Sequence, residues 1–212
     1  MNARLSSEEH LATLRELVER KQLYRFVFAR TALISGTLSI LVAAAIFIND
    51  EVTRFLDRPV RSREFAFAWI VVLLLTVLVG MLFLRRATRG YDAAFGSKGM
   101  KLALGAVAPY LLIPTAFTGR FFTTGYLGGT ELDLVVVWIA FYGLMLLSTA
   151  LFAPRWIALL GWAFLLSALS VPVLEDNLDL WTGEVPTVLM GVTFGLYHLF
   201  YAALNWRGSS TV

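Results

Sequence analysis

The chain has 212 residues, of which 58% are apolar and only 16% charged, with a formal net charge of +3. A soluble domain carries about 25% charged residues, so a water-facing globule is excluded and membrane is the first class to test. The absence of cysteine excludes disulfides and thiolate chemistry, and the basic residues cluster beside apolar runs, which is a membrane-topology pattern and not a nucleic-acid one.

A spanning helix needs roughly 18 or more residues with few charges, because the hydrocarbon core is about 30 Å thick. Six windows without Asp, Glu, Lys or Arg reach that length: Thr31–Asn49, Phe65–Leu84, Leu102–Gly119, Leu134–Ala153, Trp156–Leu174 and Val185–Trp206. Backbone groups in lipid must be satisfied internally, so the runs read as helices. The expected fold is an all-α integral membrane protein. It is a six-transmembrane-helix bundle over 31–206, with an N-terminal cytoplasmic helical extension over 1–30 and a short cytoplasmic tail over 207–212.

In chain order, Ser6 and Glu9 fit a capping box. Leu11, Leu14 and Val18 then recur at helical spacing among charged residues. One helix from Ser7 to Ile48 is expected, about 60 Å long at about 1.5 Å per residue. Its protruding part reads as a docking handle or as a helix lying on headgroups. The first apolar run follows a long charged stretch and reads as a retained anchor. With the N-terminus inside, 13 of the 18 Lys and Arg residues fall on inner segments and 5 on outer ones. The positive-inside rule then places both termini in the cytoplasm, as in a bacterial inner-membrane protein. The loop Asp50–Glu64 runs against the rule, with four arginines outside.

Arg85, Arg86 and Arg89 follow the second span. They read as headgroup contacts, worth about 1 kcal/mol each, rather than as a voltage sensor, whose arginines lie within a span. The third span holds Pro109 and Pro114, which remove backbone donors and make it a candidate kink. Phe121, Phe122 and Tyr126 suit the outer interface. Only Pro154 and Arg155 separate spans four and five, so these form a tight hairpin. Tyr142, Ser148, Thr149, Ser167 and Ser170 are its polar groups. Trp69-Ile70 recurring as Trp138-Ile139 allows a two-helix repeat. The acidic loop Glu175–Glu184 is dense in oxygen ligands but does not match an EF-hand, and reads as solvated.

The last span is distinctive. Gly191, Gly195, His198, Ala202 and Asn205 follow at steps of 4, 3, 4 and 3. At about 100° per residue they form one stripe of small and polar residues, with Leu196 and Leu199 off it. His198 is the only histidine in the hydrophobic part of the chain; His10 lies outside it. The candidate seam is therefore Gly191, Gly195, His198, Tyr201 and Asn205. An imidazole here serves either as a proton or solute relay, or as a neutral hydrogen-bonding group beside a Gly-x-x-x-Gly close approach.

Neither a phosphate loop nor an H-E-x-x-H helix occurs, and no span holds a carboxylate. Catalytic, cofactor and metal sites are therefore not expected. The motif Gly191-x-x-x-Gly195-x-x-His198-x-x-Tyr201, with Ala153-Pro154-Arg155 before Leu160-Gly161, resembles small bacterial polytopic membrane proteins over residues 134–206. That resemblance implies a helical membrane protein and carries no activity. The expected function is a non-enzymatic binding, regulatory or scaffolding protein that self-associates through small-residue seams. The alternative is a small channel or transporter with a pathway near His198 and the Pro109/Pro114 kink. The expected partners are the lipid bilayer and a second copy of the chain, with no nucleic acid.

Overall fold

A computed structural model describes residues 27–50, 62–87, 98–124, 130–149, 155–175 and 184–206. Each segment is helical, and no strand occurs among the described residues. The helices are α1 (Val27–Asp50), α2 (Ser62–Ala87), α3 (Lys98–Thr124), α4 (Glu131–Thr149), α5 (Arg155–Glu175) and α6 (Val185–Trp206). Residues 1–26 of the N-terminal extension expected over 1–30 lie outside the described residues, and residues 27–30 open α1. The turn at Pro154, the acidic loop over 176–183 and the tail also lie outside them.

Among the described residues, five helices are long and apolar enough to cross a membrane: α1, α2, α4, α5 and α6. Large apolar side chains cover their outer surfaces, among them Leu74 and Leu78 on α2 and Leu166 and Leu169 on α5. Such faces require hydrocarbon around them, so the chain is a helical membrane bundle. A sixth helix, α3, has 27 residues.

Local sequence explains the helix ends. Glu64 opens α2 and Arg85 and Arg86 close it, each charge opposing the helix dipole. At the start of α4, Thr130 and Asp133 make a reciprocal cap. The Thr130 backbone N–H and hydroxyl donate to Asp133 Oδ2 at 2.6 and 2.9 Å, and the Asp133 N–H donates to Thr130 Oγ1 at 3.2 Å. The prolines of α3 do not break it, since the helix is continuous through both. Thr115 donates to the Leu111 carbonyl at 2.7 Å, and Thr118 to the Pro114 carbonyl at 2.6 Å.

The core gathers around Ile139 of α4 and Phe164 of α5, both wholly buried. Phe65 and Trp69 of α2, Ala43 of α1 and Met190 of α6 complete it. α3 docks at the edge of α4, where Phe121 joins Ala66 and Leu134 and Trp138 Nε1 donates to Thr118 Oγ1 at 2.9 Å. Two glycines set the α4–α5 spacing. A Cβ at Gly143 would lie 2.9 Å from the Gly161 carbonyl oxygen and 2.9 Å from the Leu165 nitrogen. A Cβ at Gly161 would lie 3.0 Å from the Gly143 oxygen. The two backbones are therefore in contact, which is how membrane helices gain dispersion energy when no water drives them together.

That geometry separates two substitutions. Gly143→Val forces α4 from α5 and is expected to cost about 1–3 kcal/mol, the range for overpacking. Gly105→Ala in α3 meets nothing within 4 Å and is expected to be neutral. Unfolding of the purified protein in mixed detergent micelles measures both.

Candidate functional site

Pro186 sits in the first turn of α6, where its missing N–H costs nothing. After Met190 the helix leaves the α register, and Gly191–Tyr197 form a π-helical turn before α geometry resumes at His198. In a π-turn each N–H bonds five residues back instead of four. The turn therefore accommodates about one extra residue, and whatever follows it is set back by about 100°.

This rotation decides what the seam touches. α6 runs antiparallel to α1 along a strip of small residues. A Cβ at Gly191 would lie 3.1 Å from Ala43 Cβ, one at Gly195 2.6 Å from Ile40 Cγ1, and one at Gly36 2.9 Å from the Gly195 oxygen and 3.0 Å from Leu199 Cδ2. Further along, Ala32 clusters with Tyr201, Ala202 and Ile157. The face that meets α1 thus passes through Leu199, not His198. The uniform stripe expected from sequence divides here, because the spacing rule assumes an unbroken α register.

His198 turns instead toward α4 and α5. Its Nε2 lies 2.8 Å from Tyr142 Oη. Its Nδ1 is buried and makes no hydrogen bond. The tautomer sets the direction: a proton on Nε2 is donated to the phenol oxygen, and a proton on Nδ1 leaves Nε2 to accept from the Tyr142 hydroxyl. The ring stacks on Phe194, with centroids 6.2 Å apart and planes at 12°. It also meets Phe164 edge-on at 5.6 Å. Tyr142 packs on Phe164 at 4.8 Å and on Phe194 at 5.1 Å. His198 is only 7% exposed.

A second polar pair lies alongside. Ser167 donates to the Ala163 carbonyl at 2.8 Å, so its oxygen receives the Tyr197 hydroxyl 2.9 Å away. Tyr197 also meets the Phe164 edge, at 5.6 Å. Phe164 thus separates two hydrogen-bonded pairs, each joining α6 to the α4–α5 hairpin.

The remaining seam residues are buried as well. Asn205 Nδ2 donates to the Tyr201 carbonyl at 2.9 Å, and Gly195, Tyr201 and Asn205 are buried with Gly191 half-buried. The prolines are elsewhere. Pro109 is exposed and Pro114 half-buried on α3, and neither belongs to the ring cage around His198. Among the described residues, no three His, Asp or Glu side chains group as a metal site. Spacing within α6 could not reveal Tyr142 or Phe164, which are far from it in sequence. One signal was available: Ala32, Gly36, Ser39 and Ala43 repeat at steps of 4, 3 and 4 on α1, a small-residue stripe complementary to that of α6.

No protein family, curated protein or solved structure matches this chain. The reading of the site rests on its own geometry.

The Tyr142–His198 bond should be visible as coupling. Tyr142→Phe leaves Nε2 without its partner and is expected to cost about 1–3 kcal/mol. Combined with His198→Phe it should cost less than the sum of the two single changes, by about 0.6–1.7 kcal/mol. A double-mutant cycle from detergent unfolding reads this, and strictly additive losses would refute the bond.

Proposed function

We propose that this chain is a six-span inner-membrane protein with both termini in the cytoplasm, acting as a non-enzymatic binding, regulatory or scaffolding component. The observation that carries the reading is the dry enclosure of its one intramembrane histidine. A relay needs a ring that exchanges protons with water along a polar path. His198 instead is buried, with a phenol at Nε2 and aromatic rings packed around it. The cleft beside the seam, between α1 and α6, is walled by apolar residues and includes neither His198 nor either proline.

Self-association through Gly191 and Gly195 is not part of the proposal, because α1 of the same chain fills that face. The sixth span is α3. Its support is an uncharged stretch, Leu102–Gly119, and its docking on α4 through Trp138 and Thr118. The inward termini are supported by the Lys and Arg distribution.

Two measurements test this. Alkaline phosphatase fused after Val212 should be inactive and fused near Gly128 active; activity at the C-terminus would mean an odd number of crossings. In proteoliposomes loaded with a pH-sensitive dye, proton and potassium flux should equal that of protein-free vesicles. A wild-type flux abolished by His198→Ala would overturn the dry-histidine reading in favour of transport.

A further inference from the structure

The first turns of α1 lie beside both the end of α2 and the start of α5. A Cβ at Gly80 would lie 3.4 Å from Thr31 Cγ2, and Ala32 clusters with Ile157. Phe121 near the end of α3 joins Ala66 near the start of α2, so α3 begins at that same end of the bundle. The charges of the described helices therefore divide by end. One end carries Arg30, Arg85, Arg86, Lys98, Lys101 and Arg155, with no Asp or Glu among the described residues. The described carboxylates, Asp50, Glu64, Glu131, Asp133, Glu175 and Glu184, all lie at the other.

The arginines also share a position on their helices. Arg155 heads a stripe of Leu159, Trp162, Leu166 and Leu169 at steps of 4, 3, 4 and 3, and each of those four is more than half exposed. At about 100° per residue, Arg155 stands on the lipid-facing side of α5, one turn beyond Leu159. Arg85 and Arg86 end α2 in the same way, one turn beyond the exposed Met81 and Leu82. All three arginines are exposed.

This order argues for one partner. A guanidinium matches a phosphate with paired N–H donors. A phosphate held directly beside an uninterrupted apolar face is what a phospholipid presents, headgroup first and acyl chains after. The headgroup's net charge is selected too. A zwitterionic headgroup brings a cation that needs a carboxylate nearby, and the described residues of this end offer none. An anionic headgroup brings no such cation and gains from every basic residue around it.

We propose that the arginine end of the bundle selects anionic phospholipids from its leaflet, with phosphates at Arg155 and at Arg85–Arg86 and acyl chains along the exposed stripes beside them. The selection holds whichever leaflet that end occupies, and it is independent of the function proposed above. The run after the second span already read as headgroup contacts; the structure adds Arg155 on α5 and the carboxylate-free surroundings that discriminate between headgroups.

The test uses the full-length protein in phosphatidylcholine nanodiscs doped, in separate samples, with equal amounts of a photoreactive phosphatidylglycerol or phosphatidylcholine. Each carries a diazirine on the acyl chain close to the headgroup. After illumination, adducts are mapped by peptide mass spectrometry. The glycerol-to-choline labelling ratio at residues 155–162 and 81–86 should exceed several-fold that at residues 67–74 and 169–173, at the opposite end of the same helices. Arg155→Gln should bring the α5 ratio down to the reference and leave α2 unchanged. The double substitution Arg85→Gln, Arg86→Gln should do the converse. Salt at 1 M, where the screening length is about 3 Å, should lower both ratios. Equal ratios at the two ends, or a local ratio indifferent to the loss of its own arginines, overturns the proposal.

Discussion

An imidazole in the middle of a hydrocarbon slab has to find its hydrogen-bond partners in protein, because no water is there to supply them. That constraint organises this bundle. Tyr142 answers it from α4 at 2.8 Å, and Phe164 and Phe194 close the ring faces. For the phenol and Phe164 to arrive together, α4 and α5 must lie with their backbones in contact. Gly143 and Gly161 permit this. The net gain from one such bond is modest, but the penalty for leaving the histidine unpaired is several-fold larger. The cage thus acts more by excluding other packings than by adding stability to this one.

α6 meets two demands at once. Gly191 and Gly195 face α1, where an added Cβ would press on Ala43 and Ile40. Tyr197 and His198 must face Ser167 and Tyr142. In a continuous α-helix His198 would share the glycine face. The π-turn over Gly191–Tyr197 sets the lower half back by about one residue and resolves the conflict. π-turns are rare in proteins, and here the turn has an identifiable purpose in phasing.

Much of this was legible in the sequence, because the bilayer allows few solutions. Within the described residues the charge-free windows are helical: Thr31–Asn49 lies inside α1, and Val185–Trp206 coincides with α6. The small-residue character of Gly191 and Gly195 was also legible. The phase of His198 was not, since periodicity arguments presuppose a constant turn per residue. Nor was its partner, because hydroxyls such as Tyr142 and Ser148 look alike until tertiary packing selects one. Gly143 and Gly161 passed as ordinary glycines for the same reason, as a close approach needs both helices to be seen. The small residues of α1 were readable in principle, and their 4, 3, 4 steps match a strip that only α6 complements.

A lone membrane histidine invites a proton-relay reading; here its ring bonds Tyr142 and packs among Phe164 and Phe194, joining α6 to the α4–α5 hairpin, while the small faces of α1 and α6 meet within one chain. The most direct measurement is hydrogen exchange at the histidine ring. With the protein selectively 15N-labelled at histidine in nanodiscs, transfer into D2O should leave the His198 ring N–H signal detectable for hours, at a site sealed from solvent. Disappearance of that signal within the mixing time would place water at the ring and contradict the dry cage on which the whole arrangement depends.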